Sequence, residues 1–270
     1  MIPKSNLHTH TTFVDGKDTA EEMVQAALAL GFHTLGFSEH GYSSFTDCCM
    51  PEDLEARYRA EIRRLQAKYA DQICILLGYE HEYPMDSELS AYEYYIESVH
   101  YLRAHGEWFP VDSTRAILED AVRRHYGGDP YAMCRAYFNE ICVTCEKSDA
   151  EVLGHIELVM KFNERRDLFD DADPRYLGPA LEAAECAARS GKLVEINTGA
   201  IARGYRTQPY PGRAMLSRLR EAGARIIITS DCHDARYLDC GFADCVELAR
   251  SCGFRTAWML RGDRFEEYPL

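Results

Sequence analysis

The sequence predicts a parallel α/β fold of barrel type, with its site at the C-terminal ends of the strands. Short apolar runs alternate with longer amphipathic stretches, the pattern of repeated βαβ units. Seven or eight such runs can be marked as strands, the number that closes a barrel. A length of 270 residues suits one barrel domain spanning 1–270 without forcing a split. The strand candidates are 6–7, 34–38, 73–78, 94–99, 151–154, 193–197 and 225–230, with a weaker eighth at 256–260.

Helical periodicity fills the intervals at 19–30, 51–69, 114–124, 130–147, 179–190, 211–222 and 242–251. Asp18 or Thr19 is placed to cap the first of these, and Pro51, Pro179 and Pro211 fall where a first helical turn accepts proline. Gly31, Gly191, Gly223 and Gly253 stand where helices close just before the next strand. No Pro/Ser-rich linker, low-complexity tract or internal repeat marks a domain boundary. The stretches 41–50, 84–92 and 200–208 are the loops expected to wall a site.

Composition narrows the function classes. Asp and Glu number 44 against 30 Lys and Arg, a formal charge of −14, the wrong sign for coating nucleic acid or an anionic membrane. A small anionic substrate stays compatible if bound cations reverse the local field. No run of about 18 apolar residues is present, and Met1 to Ser5 carries no apolar leader. The 11 cysteines are scattered and odd in number, which argues for a reducing cytoplasm over a disulfide framework. Cys142 and Cys145 form a lone Cys-x-x-Cys inside a predicted helix with no second pair to complete a zinc site, and the adjacent Cys48 and Cys49 likewise read as structural.

The chemistry gathers at strand ends. His8 and His10, His40, Glu80, His100, His155, Glu195 with Asn197, and Asp231 with His233 each follow a strand candidate. In a parallel fold these ends converge on one crevice. In extended chain, residues i and i+2 point the same way, so His8/His10 and Asp231/His233 can each present two ligands to one cavity. The set predicts a polynuclear metal site, and its mixture of imidazole and carboxylate suits zinc, manganese or iron better than magnesium. His33, His105 and His125 read as structural, and His81 alternates away from the site. Glu39 is either a partner that orients a ligand histidine or a solvated acid. Glu80 and Glu82 share a face, and geometry alone does not choose between them.

The order His-x-His, Asp15, "SEHG", "LLGYEHEY", "ESVHYL", "LGHIEL" and "SDCH" resembles the PHP (polymerase and histidinol phosphatase) superfamily over residues 5 to 234. Its stand-alone histidinol-phosphate phosphatases are the nearest likeness, through total length, "MPEDLEARYRAEIRRLQAKY" and "HYGGDPYAMCRAYFNEI" before "LGHIELVMKF". The resemblance implies a distorted (β/α)7 TIM-like barrel with three divalent metal ions at its mouth. One would be held by His8, His10, Glu80 and Asp231, a second by Glu80, His100 and His155, and a third by Asp15, His40 and His233. Some members have histidine where this chain has Asp15. The family takes the first glutamate after the glycine, which selects Glu80, and it leaves Glu195 a supporting place.

The expected activity is metal-dependent hydrolysis of a phosphomonoester, L-histidinol phosphate first, with a nucleotide or another small phosphate ester as the alternative. A metal-binding regulatory domain that has lost catalysis is the competing class, and the complete ligand set argues against it. Hydroxide bridging two metals would attack phosphorus in line, and Arg203 and Lys161 are the candidates for binding the phosphate. His233, His40 and Asp231 are the catalytic candidates: either histidine could protonate the leaving alkoxide, although one committed to metal is a poor acid, and a hydrogen-bonded Asp or water serves equally. Histidinol phosphate also carries an amine and calls for a carboxylate near the mouth. The oligomeric state is left open.

Overall fold

The computed structural model describes residues 1–270 apart from Ser44, Asp47, Cys48 and Asp86. Of the adjacent cysteine pair, Cys48 therefore lies outside the described residues, and Cys49 is partly buried with its thiol against the Thr46 carbonyl at 3.3 Å. Among the described residues eight strands run parallel as neighbours: β1 (Ser5–Asn6), β2 (Thr34–Phe37), β3 (Cys74–Glu82), β4 (Tyr94–Ser98), β7 (Val152–Leu153), β8 (Leu193–Asn197), β9 (Arg225–Thr229) and β10 (Thr256–Arg261). A hairpin of β5 (Tyr101–Ala104) and β6 (Glu107–Pro110) stands apart from this sheet, and β11 (Arg264–Pro269) pairs antiparallel with β10. The helices are α1 (Ala20–Ala29), α2 (Glu52–Lys68), α3 (Arg115–His125), α4 (Pro130–Lys147), α5 (Pro174–Ser190), α6 (Gly199–Ala202), α7 (Arg213–Glu221) and α8 (Phe242–Ser251).

The sheet curls into the distorted TIM-like barrel that the resemblance implies and the strand–helix alternation accommodates. Beyond β1 and β9 the two chain segments meet, with the His10 amide donating to the Cys232 carbonyl at 2.8 Å and the Cys232 amide to the His8 carbonyl at 3.0 Å. The weak eighth strand is present as β10. The other strands agree with expectation within a residue or two, except that β3 runs on to Glu82, so that Glu80 lies within the strand.

Period-two alternation builds both faces. Leu7, Leu76, Tyr94, Ile96, Val152, Leu193, Ile227 and Leu260 form a small apolar cluster to which seven of these strand segments contribute, the floor of the barrel. Neighbours such as Ile75, Leu77, Val194, Ile226 and Ile228 belong instead to the larger cluster shared with the helices. Fully burying each such side chain stabilises the fold by about 1.5–3 kcal/mol. On β3 the inner face then reads Leu76, Gly78, Glu80, Glu82, passing from apolar floor to polar rim within one strand.

Helix punctuation follows local chemistry. Thr19 caps α1 in a capping box with Glu22, and Gly191 closes α5 at φ 71°, a left-handed conformation that suits glycine. Two expectations need correction. Pro179 does not open a helix: α5 begins a turn and a half earlier, capped by Asp173 with Pro174 in its first turn. The Cys142 and Cys186 sulfurs are bonded, joining α4 to α5 across 44 residues of sequence, which departs from the expectation of unpaired cysteines. Sequence holds no record of that pairing because it depends on the two helices lying side by side. Cys145 stays a buried thiol. No helix among the described residues is long and apolar enough to cross a membrane.

Candidate metal centre

Eight side chains predicted from strand ends, and Asp15, which the family resemblance implied, meet at the C-terminal rim. Four groups of potential ligand atoms, each within 4.8 Å of one another, comprise His10, Asp15, His40 and His233; His8, His155 and Asp231; His8, His10 and Glu80; and His40, Glu80 and His100. Those groups contain all nine candidates and, among the described residues, no others.

Glu80 is central. Its Oε1 lies 3.1 Å from His155 Nε2, 3.3 Å from His8 Nε2 and 3.5 Å from His100 Nε2, and its Oε2 lies 2.9 Å from His40 Nδ1 and 3.4 Å from His10 Nε2. Ser98, on the same face of adjacent β4, donates to Oε1 at 2.7 Å. Asp231 Oδ1 lies 3.2 Å from His10 Nε2 and 3.6 Å from His8 Nε2. At the outer edge Asp15 sits 3.1 Å from His233 Nε2 and 3.8 Å from His40 Nε2.

A second ring of carboxylates turns the imidazoles. Glu195, on β8, accepts from His8 Nδ1 at 2.7 Å and from the His155 amide at 3.0 Å. Glu82 holds His100 by its Nδ1 at 2.8 Å and by its amide. Both contacts leave the opposite ring nitrogen facing Glu80, the usual way a protein fixes a ligand histidine. Glu39 is fully buried, accepts from the Thr11 amide and hydroxyl, and lies 3.8 Å from His10 Nδ1, so it is not a solvated acid. His81 turns away to Glu97 and the Met85 carbonyl, both at 2.8 Å. His33 bonds Thr34, His105 is exposed and His125 packs its ring on Phe109; none of them enters the site.

Electrostatics is strained in a way that fits cations. Burial pushes the His10 imidazole down to about 3, with His233 and His40 adding to it. Burial also acts against charge on His100, but Glu80 and Glu82 outweigh it and raise that ring to about 9. His8 is likewise held well above its usual range by Glu195, Glu80 and Asp231 against the effect of burial. Burial opposes ionisation of Glu80, yet His8, His40 and His100 keep it well below the carboxylate range. Glu39 is pushed up to about 8 by burial. Meanwhile His8 Nε2, both ring nitrogens of His10, Glu80 Oε2 and His155 Nδ1 are buried without a hydrogen-bond partner. Buried polar atoms are seldom left so, and these mixed nitrogen and oxygen donors fit divalent metal ions.

The rim opens into a cavity of about 760 Å³. Of the predicted wall loops, 41–50 contributes Gly41, Ser43, Phe45 and Thr46, and 200–208 contributes Arg203; residues 84–92 supply none of the described lining. The hairpin region, unread in the sequence, supplies Tyr101, Pro110, Asp112 and Ser113. Only the two-residue turn His105–Gly106 between two short strands signalled it. Lys161 and Arg203 both line the cavity, Lys161 Nζ 3.1 Å from Asp112 and Arg203 Nη2 2.8 Å from Asp231. They are packed into the wall and are not free surface charges.

Barrel and rim together define a metal-centre protein of the α/β barrel class. The PHP domain model matches residues 6–199, and the chain belongs to that family. It is 25% identical over 282 aligned positions to the "Probable histidinol-phosphatase" of Schizosaccharomyces pombe, covering 96% of this chain and 90% of that protein. It is 26% identical over 267 positions to the histidinol-phosphatase of Bacillus subtilis, covering 90% and 97%. The solved histidinol phosphate phosphatase of Lactococcus lactis, complexed with zinc, L-histidinol and phosphate, superposes with a TM-score of 0.73 at 21% identity over 98% of this chain and all of that one.

Proposed function

We propose that the chain is a metal-dependent phosphomonoesterase that hydrolyses L-histidinol phosphate to L-histidinol and phosphate. The observation that carries this reading is the convergence of nine imidazole and carboxylate groups on one rim, in a family whose curated relatives bear that activity. Residues 1–270 act as one catalytic domain, and a biosynthetic role places it in the cytoplasm.

Three divalent ions are proposed, with zinc, manganese or iron as candidates: one on His8, His10, Glu80 and Asp231, one on Glu80, His100 and His155, and one on Asp15, His40 and His233. When bound, such ions supply Lewis acidity and an activated water near neutral pH. Phosphate-ester hydrolysis needs accelerations approaching ~10²¹, and electrostatic stabilisation of the developing charge is a principal means of reaching them. The chain's own groups do the rest. Asp15, Glu80, Glu82 and Asp231 would repel a phosphate dianion from the bare cavity, so the cations also decide whether substrate enters. Arg203 and Lys161 face the cavity and hold phosphate oxygens as charge shifts to the leaving group. His40 and His233 stand beside Asp15 at the mouth, and the departing alkoxide takes its proton from whichever of them is not ligating metal, or from a hydrogen-bonded aspartate or water there.

The test is phosphate release by metal-replete enzyme from histidinol phosphate, compared with sugar phosphates and nucleotides, with metal content counted on the same sample. A kcat/KM for histidinol phosphate well above the panel, with three ions per chain, is expected. A value at the panel median would transfer the reading to another small phosphate ester, and absence of turnover on every ester would end it.

A further inference from the structure

The cavity holds five carboxylates, and four of them are already committed. Asp15, Glu80 and Asp231 belong to the ligand groups, and both Glu82 oxygens accept from His100 and Tyr101. Asp112 is the fifth. The Val111 amide donates to the His100 carbonyl at 2.8 Å, so the returning arm of the β5–β6 hairpin is pinned to the metal rim and Asp112 follows directly from that anchor. Its Oδ2 accepts from Lys161 Nζ at 3.1 Å.

Lys161 arrives from the neighbouring part of the rim, after β7, the parallel partner of β4, and a short 3-10 turn at Leu158–Met160. Two opposite charges thus stand side by side in the cavity wall, next to His100 and His155, whose charges act on Asp112. Beside them is an aromatic face: Phe45 stacks on Trp108 with centroids 4.5 Å apart and meets Tyr101 edge-on at 4.7 Å, and Phe45 and Tyr101 both line the cavity.

We infer that Asp112 is the specificity-determining carboxylate of this cavity, binding the ammonium of a 2-ammonioalkyl phosphate while Lys161 faces the phosphate and the Phe45–Tyr101 wall takes a flat ring. This rests on the phosphatase reading. In such an ester the ammonium sits on the carbon next to the one that bears the phosphate oxygen, so cation and dianion lie close enough to match an anion and a cation held in contact. Substrate charges then replace the internal Lys161–Asp112 pair with no buried charge left alone. An ester lacking the amine leaves Asp112 with a repelled or empty face.

The experiment compares L-histidinol phosphate with its deamino analogue, the phosphate of 3-(imidazol-4-yl)propan-1-ol, on the metal-replete enzyme, and measures calorimetric binding of L-histidinol and the deamino alcohol. Wild type is expected to favour the amino ester in kcat/KM by about tenfold to a hundredfold, the range of a hydrogen bond to a charged group. In Asp112→Asn that ratio falls toward one, and binding of L-histidinol weakens toward that of the deamino alcohol. A wild-type ratio near one overturns the inference without recourse to any variant, as does an Asp112→Asn enzyme that keeps the wild-type ratio. An equal loss on both esters gives Asp112 only a part in placing Lys161 and also overturns it. Wild type that hydrolyses neither ester removes the phosphatase reading itself, an outcome distinct from hydrolysis without discrimination.

Discussion

Glu195 has no solvent exposure and accepts three hydrogen bonds, from His8 Nδ1, the His155 amide and Asn197 Nδ2. A glutamine there has a single acceptor oxygen, so Glu195→Gln must set its amide hydrogens against at least one of those donors. The His8 ring loses its fixed orientation, and a loss of about 10–100-fold in metal affinity or activity is expected. Chelator competition checks it; unchanged affinity and rate would remove Glu195 from its orienting role. Asp231 shows a different kind of residue-level constraint. It adopts φ 44°, a left-handed conformation that is uncommon for non-glycine residues and concentrates at functional sites. Gly199 makes room for it, since a Cβ at that position would lie 2.6 Å from Asp231 Oδ2. The sequence shows Asp231 as an Asp-x-His motif but carries no sign that Gly199 must remain bare.

α4 and α5 reach the site through one tyrosine each. Tyr137 accepts from the Leu158 amide at 3.2 Å, and Tyr176 donates to Glu157 at 2.6 Å, so the two helices grip the segment that delivers His155 and Lys161. The Cys142–Cys186 bond ties those helices together. Cys142→Ser is expected to lower stability by about 2–4 kcal/mol where the bond is formed. Peptide mapping without reductant should find the 142–186 link, and thermal melts with and without reductant should separate wild type from the variant. Identical melts under all four conditions would deny the bond a structural part. In a reducing cytoplasm both cysteines would be thiols, and the difference between wild type and variant would then shrink.

Across the whole molecule, the candidate ligands come from segments spread from His8 to His233, so ions bound among them tie the barrel shut. Binding to the folded state alone stabilises by about 2.7 kcal/mol at a free metal concentration a hundred times Kd, and chelation should lower Tm accordingly. The pH dependence has a defined sign. His100 in the metal-free protein is raised from 6.5 to about 9, so its proton contributes stability that is full below 6.5 and lost as pH rises through 9. A metal requires the ring without that proton on its ligand nitrogen. Metal-free stability therefore falls and metal affinity rises over the same window, and the Tm drop on chelation should be larger at pH 9 than at pH 6.5. Differential scanning calorimetry with and without chelator measures this; a drop that shrinks with pH would contradict the protonation state derived for His100.

Period-two and helical patterning, together with polar residues at the ends of apolar runs, pointed to a parallel barrel-type fold and to His8, His10, His40, His100, His155, Asp231 and His233 at its rim, because strand alternation and the convergence of parallel strand ends are local rules. Asp15, and Glu80 in preference to Glu82, came only with the resemblance to the PHP family. His81 could be set aside on the same ground. Tertiary structure alone decided that Glu82 holds His100 while Glu80 sits at the centre, that α5 begins at Pro174, that Cys142 faces Cys186, and that a hairpin carries Asp112 to Lys161. Each of those depends on which distant segments lie side by side, and contact across the fold leaves no period in the chain to be read.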